Sequence, residues 1–412
     1  MIHRDAVCQI SDIWGVEEAT VPTCASLEGL SPSHAGVIMG RITVGLLMFP
    51  IERSGVRPVA NLLGILSSLT HERIPLVTGN AGRVFENDTR VWFRGVDHAA
   101  GGNVFSRILY NIMTQVRITC CLRELSCTDT WIFFFGGEIL ILPMIAAKLF
   151  RKRVILTLPA HTPTMMAPAA DRLLIPARLL TRATYGLCDR IILYSPSLIS
   201  HWRLEHYRNK IAIAREHLLD FGKFRVEVPL PKRPETVGYI GRLADEKGVQ
   251  NFVRALPRIA TENENLNFLI GGDGPLLPDI QEFIQKNGLV ERVTLAGWIR
   301  HEDLPGYLNS IRLLVLPSYT EGLPNIMLEA MACGTPVLAT PVGAVPDFIR
   351  EGETGFIMAS NAPDEIAISV LDIFRCRELA LVAKAAKECV EQEITYERAV
   401  ELFASAIDGL RS

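Results

Sequence analysis

The chain has 412 residues, 49% hydrophobic and 21% charged, which is a globular balance with room for two domains. Its nine cysteines are odd in number and show no C-x-x-C spacing, which favours reduced thiols in an intracellular setting over a disulfide framework. The net charge of −3 is unevenly spread: residues 39–225 hold 24 Lys+Arg against 13 Asp+Glu, residues 226–412 hold 17 against 27, and residues 1–38 hold 1 against 5. A basic half joined to an acidic half predicts an anionic partner for the first; the alternative is ordinary variation between domains.

Residues 1–38 lack periodicity and the basic-then-apolar order of a signal peptide, and read as a flexible extension. Met39 then leads into a strand, so Met39 is also a candidate start. Apolar runs predict strands near 42–49, 74–78, 131–135, 153–158 and 190–194, and helices near 57–69, 138–149, 168–187 and 196–207. Trp131–Phe150 is long enough to cross a membrane, but Gly136-Gly137-Glu138 interrupts it, so a buried strand, turn and helix fit better. These elements form a domain over 39–225. Pro229, Pro231 and Pro234 mark a linker at 226–234. A second strand–helix alternation occupies 235–376, and 377–412 form helices without strands. Alternation of this kind predicts parallel, doubly wound α/β sheets.

The second alternation carries the chemistry. The strand Val237–Ile240 runs into Gly241-Arg242-Leu243-Ala244-Asp245-Glu246-Lys247-Gly248, where two cations and two glycines follow a strand end. Leu266–Ile270 ends in Gly271-Gly272-Asp273-Gly274-Pro275, and Val293–Ala296 ends in Gly297-Trp298-Ile299. The strand Leu313–Leu316 precedes SYTEGLPNIMLEAMACG, residues 318–334. That segment places Glu321 on a loop and Glu329 in a helix starting near Asn325 and stopping at Gly334. Ligands of open α/β sheets bind at carboxyl strand ends. Helix N–H groups beside carboxylates suit a ligand that is anionic at one end and rich in hydroxyls at the other.

In order and spacing, GRLADEKG, GGDGP, GWI, the E-x7-E pair and GTPVLATPVGAVPDFI resemble the C-terminal domain of glycosyltransferase family four, over Val237–Phe374. The resemblance implies a GT-B fold, two Rossmann-like doubly wound domains facing across a cleft, with the last helix packing back on the N-terminal domain. It implies a retaining transferase that moves a hexose-type sugar from a nucleotide-diphosphate sugar, a co-substrate, with no cofactor. Arg242 and Lys247 would bind the diphosphate, close to Gly241. Asn325 and Ile326 would offer backbone N–H groups, Glu329 would accept from the ribose, Glu321 would meet the transferred sugar, and the Ile299 backbone would meet the base. His161, in LTLPAHTP, resembles the family's cleft histidine, and Gly55 its N-terminal glycine loop, although one glycine stands here where many members have two. A lone histidine is as readily structural. No D-x-D motif or other metal-ligand spacing is present, so activity without metal is expected.

Competing readings are a catalytically silent GT-B protein that binds sugar nucleotides as a sensor or assembly partner, and a GT-B epimerase or phosphorylase. A nicotinamide dehydrogenase fails for want of G-x-G-x-x-G between a strand and a helix. The expected partners are a nucleotide-sugar donor and a glycan or lipid-linked acceptor, not nucleic acid. Arg151-Lys152-Arg153 beside an apolar segment suggests peripheral contact with an anionic membrane from the cytoplasmic side; a soluble enzyme with a basic acceptor cleft is the alternative.

Overall fold

The computed structural model describes residues 43–409 apart from 71, 100–101, 126 and 160–173. The expected extension and His161 therefore lie outside the described residues. Two parallel sheets organise the rest. The first contains β1 (Val44–Leu47), β2 (Ile74–Thr78), β3 (Val91–Gly95), β4 (Thr130–Phe133), β5 (Arg153–Leu158), β6 (Arg190–Leu193) and β7 (Ile211–Ile213), in the order 3-2-1-4-5-6-7. The second contains β8 (Thr236–Ile240), β9 (Asn267–Gly271), β10 (Val293–Gly297), β11 (Leu313–Leu316), β12 (Val337–Ala339) and β13 (Phe356–Ile357), in the order 10-9-8-11-12-13. Central strands such as Leu313–Leu316 are buried throughout, as an apolar run covered on both faces requires. The strand order reverses between β1 and β4 and again between β8 and β11, and crevices open at such points.

One face of the first sheet packs against the Val56–Leu69 helix and the last helix, Tyr396–Asp408, through Val59, Leu62, Leu66, Phe403 and Ile407. The chain's end is thus built into the N-terminal half: Tyr396 Oη donates to Gly64 O at 2.9 Å, and the Arg190 guanidinium donates to Ala406 O at 3.0 Å and Gly409 O at 2.7 Å. The other face is covered by the Val104–Glu124, Ile141–Leu149 and Leu174–Leu187 helices, with Ile118, Leu122, Met144 and Tyr185 in the core.

The proline-marked segment is held tightly. Arg233 is buried and donates to Cys333 O at 2.6 Å, Thr335 Oγ1 at 2.7 Å, Val228 O at 2.9 Å, and Leu308 O and Ile311 O at 3.1 Å. Burial pulls its pKa down to about 10, and the ring of acceptors offsets that cost. Asn309 Oδ1 also accepts from the backbone N–H groups of Glu227 and Val228.

Four elements depart from the sequence expectation. β3, β7 and the whole Val104–Glu124 helix were not anticipated. The helix expected over 196–207 is instead Ser197–His201, then a turn in which Arg203 has φ 56°, then a 3-10 helix at Glu205–Lys210. Trp131–Phe150 resolves into β4, a short 3-10 turn and the Ile141–Leu149 helix, and no described helix is long and apolar enough to cross a membrane.

Candidate active site

The site is assembled where the second sheet's order reverses. The loop after β8 carries Arg242 and Lys247; the loop after β11 carries Ser318 and Glu321. Gly248 joins them: its φ is +65°, and a Cβ there would lie 2.0 Å from Pro317 O. Only glycine permits that approach, and it sets Lys247 against Glu321. Lys247 Nζ donates to Glu321 Oε1 at 2.7 Å and Oε2 at 2.9 Å, and Ser318 Oγ donates to Oε1 at 2.7 Å. Behind the carboxylate, Thr340 Oγ1 donates to Ser318 O at 2.6 Å and Ala344 N to Gly322 O at 2.8 Å, so the loop after β12 braces it. Arg242 stays apart from this pair. Its side chain is 68% exposed and meets Glu246 at 3.6 Å, a weak restraint that leaves the guanidinium able to swing to a ligand.

The Asn325–Ala332 helix starts beside Glu321, with Asn325 exposed and Ile326 half-buried in its first turn. Met327 N already donates to Pro324 O at 3.1 Å, so within the first turn it is the N–H groups of Asn325 and Ile326 that are offered to a ligand. Glu329, further along, is buried and engages a second set of groups. His301 Nε2 lies 3.1 Å from Glu329 Oε1, and Arg57 Nη1 lies 3.9 Å from the same oxygen and 2.7 Å from His301 Nε2. Lys223 Nζ lies 2.7 Å from His301 Nδ1. A neutral imidazole accepts at one nitrogen only. With its proton on Nε2, His301 donates to Glu329 and accepts from Lys223; Arg57 can donate to Nε2 only in the other tautomer. The cluster therefore cannot satisfy all its donors at once, and a further acceptor such as a hydroxyl or phosphate oxygen would relieve it.

Arg57, Lys223 and His301 were missed from sequence. Arg57 opens the Val56–Leu69 helix two residues after Gly55, which is buried and donates to Glu52 O at 3.0 Å. Lys223 is aimed by a turn in which Asp220 Oδ1 accepts from Gly222 N and Lys223 N. Its position beside the expected linker was the available signal. Ile299 is half-buried with its side chain against Gly271, whereas its neighbour Trp298 is 77% exposed. Gly241 is tied to Gly271 O at 2.9 Å, and a Cβ there would lie 3.2 Å from the Tyr239 hydroxyl.

The two halves meet at the site. A Cβ on Gly322 would lie 2.5 Å from Pro159 O, at the end of β5. Under the loop, Glu216 is buried and receives a 2.5 Å hydrogen bond from Tyr194 Oη, and burial raises its pKa to about 7. Its neighbour His217 is half-buried, and the loss of solvation there lowers its pKa to about 4. No group of three or more His, Cys, Asp or Glu among the described residues is arranged to hold a metal ion.

The chain is similar in sequence and fold to known glycosyltransferases. Residues 234–375 match the family model described as "Glycosyl transferases group 1". An alpha-D-kanosaminyltransferase of Streptomyces kanamyceticus is 36% identical over 148 residues, 36% of this chain and 38% of that protein. A GDP-mannose-dependent alpha-(1-6)-phosphatidylinositol monomannoside mannosyltransferase of Mycobacterium tuberculosis is 29% identical over 171 residues, 40% of this chain and 44% of that protein. The chain thus matches less than half the length of these relatives. Over 89% of the chain the fold matches all of Anabaena HepE, crystallised with UDP, with a TM-score of 0.69 at 16% identity. A sucrose-phosphate synthase of Thermosynechococcus elongatus gives 0.65 at 18% identity, covering 89% of this chain and 99% of that one. The architecture is an α/β GT-B fold of two Rossmann-like domains.

Proposed function

We propose that the chain is a retaining glycosyltransferase that moves a hexose-type sugar from a nucleotide-diphosphate sugar to a glycan or lipid-linked acceptor, without a metal. The observation that carries this is the bidentate Lys247–Glu321 pair beside the N-terminus of the Asn325–Ala332 helix. A cation and free helix N–H groups suit a diphosphate, and the adjoining carboxylate suits sugar hydroxyls. HepE was crystallised with UDP, and the mycobacterial relative is named for GDP-mannose and a phosphatidylinositol acceptor, so both ends of the reading have precedent among similar proteins.

In this reading the anomeric C–O bond to the diphosphate breaks while the acceptor oxygen bonds to the same carbon from the same face. The acceptor's proton passes to the departing phosphate oxygen. Lys247, Arg242 and the helix N-terminus stabilise the charge that builds there, the part a metal plays elsewhere. Glu329 orients the ribose, the Ile299 backbone meets the base, and His161 and the Gly55 loop serve the acceptor side. The enzyme works at the cytoplasmic face of a membrane.

A melting-point screen against UDP-, GDP- and ADP-sugars tests the donor, since a ligand bound only by the native state raises the midpoint. Release of free sugar from the bound donor, undiminished by EDTA, separates a transferase from a silent binding protein. No rise with any sugar nucleotide refutes the reading.

A further inference from the structure

The Val104–Glu124 helix reverses the rule that a helix on a sheet turns its apolar stripe inward. Its buried face includes Thr114 and Gln115 alongside Ile118 and Leu122. Phe105, Ile108, Leu109, Ile112, Met113 and Val116 point outward, and their spacing of three and four residues places them on one stripe. Phe105 is 77% exposed. The Ile141–Leu149 helix lies alongside, joined by Leu142 N donating to Gln115 Oε1 at 3.1 Å, and adds exposed Leu142, Ile145 and Leu149, followed by Phe150. With Tyr110, eleven of the twenty large exposed hydrophobics among the described residues fall within 105–150. Isolated exposed apolar residues are ordinary; a contiguous patch marks a contact surface.

The charge around the patch selects the partner. Residues 102–159 hold seven Lys or Arg and three Asp or Glu. Of those three acids, Glu138 is buried and Glu124 is held by Arg94 at 3.3 Å. Arg107, Arg117, Arg123 and Arg151 are exposed. A second copy docked through the same face would bring these arginines against one another. An apolar stripe with basic flanks fits the headgroup layer of an anionic bilayer, with the stripe among acyl chains and the arginines at phosphates.

We propose that this two-helix face docks the protein on an anionic lipid bilayer, with the first turns of the Val104–Glu124 helix inserted. The proposal rests on the membrane part of the function above and names its surface; donor binding is scored separately. The test is sedimentation of the full chain with phosphatidylcholine vesicles, with and without phosphatidylglycerol, at low and high salt. The protein should pellet with the anionic vesicles, less so at high salt, and stay in solution with phosphatidylcholine alone. Phe105→Asp with Ile112→Asp should abolish pelleting. Each of Arg107→Gln, Arg117→Gln and Arg151→Gln should weaken it by about fivefold. The melting shift given by UDP should be the same in every variant, so lost docking with that shift intact leaves the donor reading standing. Wild-type protein that ignores anionic vesicles overturns the proposal. So does pelleting unchanged by the two aspartates, or a lipid-independent dimer that Phe105→Asp dissolves.

Discussion

Lys247 and Glu321 restrain each other, and that predicts opposite effects on nucleotide binding when each is changed. The ammonium bonds both carboxylate oxygens, at 2.7 and 2.9 Å, with side-chain exposures of 30% and 12%. This is neither a solvated surface pair worth almost nothing nor a fully dry one. A nucleoside diphosphate would have to share Lys247 with Glu321. Lys247→Ala removes a charge-assisted contact of about 1.5–3 kcal/mol, so UDP affinity should fall by at least roughly tenfold. Glu321→Gln keeps the shape but releases the lysine, so UDP should bind as tightly or tighter, by up to about fivefold for roughly 1 kcal/mol regained. Turnover should nevertheless collapse if, as proposed, the carboxylate meets the reacting sugar. In the double variant the two changes should fail to add by about 1–2 kcal/mol, as groups in direct contact do. Titration calorimetry with UDP on the four proteins, beside steady-state transfer rates, measures all of this. Loss of UDP binding in Glu321→Gln as large as in Lys247→Ala would refute the argument, because the carboxylate would then be holding the nucleotide rather than the lysine.

Glu329→Gln should raise the donor's KM by roughly tenfold with kcat little changed, since in the proposed reading it weakens a hydrogen-bond acceptor for the ribose in ground and transition state alike; steady-state kinetics check the split. Glu216→Gln should change the pH dependence of stability. The folded protein raises the Glu216 pKa from 4.5 to about 7, so its contribution is fully present below pH 4.5 and is lost as pH rises through 7. His217, lowered to about 4, acts in the opposite sense: its contribution is present above 6.5 and is lost as pH falls through 4. The glutamine variant should therefore melt progressively higher relative to wild type as pH rises from 4.5 to about 7, with the difference levelling off above that, and a pH-independent difference in melting temperature would count against the assignment.

The C-terminal half of the site was legible because each part is local: a strand end, a glycine and a charged side chain within eight residues. Gly248, Lys247 and Glu321 needed no knowledge of the other domain. Arg57, Lys223 and His301 were not legible for the opposite reason. In RHEDL the histidine reads as an exposed loop residue, and only the packing of the Val56–Leu69 helix and the 220–224 turn brings two cations to it. The Val104–Glu124 helix escaped because its outward face is apolar while Thr114 and Gln115 are buried, which defeats an argument that assigns the apolar stripe to the core. Its start was marked, though: Asn103 and Ser106 cap it reciprocally, an N-x-x-S signature that periodicity alone passes over. β3 escaped as an edge strand, with residues 92–95 all at least partly exposed.

The two domains divide the work, and Asp347 is where that division can be measured. This residue of the second domain accepts hydrogen bonds from the first: from Ser197 Oγ at 2.7 Å to Oδ1, and from Ser197 N at 3.2 Å and Ser195 Oγ to Oδ2. It caps the Ser197–His201 helix across the domain boundary, and next to it Arg215 stacks over Phe348 and pairs with Glu393 at 2.9 Å. The bonds run between the two domains rather than within either, so the set bears on how the domains meet. Asp347→Ala removes three hydrogen bonds, a loss of about 2–4 kcal/mol at about 1 kcal/mol or slightly more each. If that energy holds the cleft in the arrangement where Arg57 reaches Glu329, kcat/KM for transfer should drop by roughly 30-fold or more. UDP, which the proposed reading assigns to Lys247, Arg242 and the Asn325–Ala332 helix of one domain, should lose little affinity. Asp347→Asn keeps one acceptor oxygen and should recover part of the rate. A fall in UDP affinity matching the fall in kcat/KM would show that the latch shapes the nucleotide site itself, and the division of labour between the domains would fail with it.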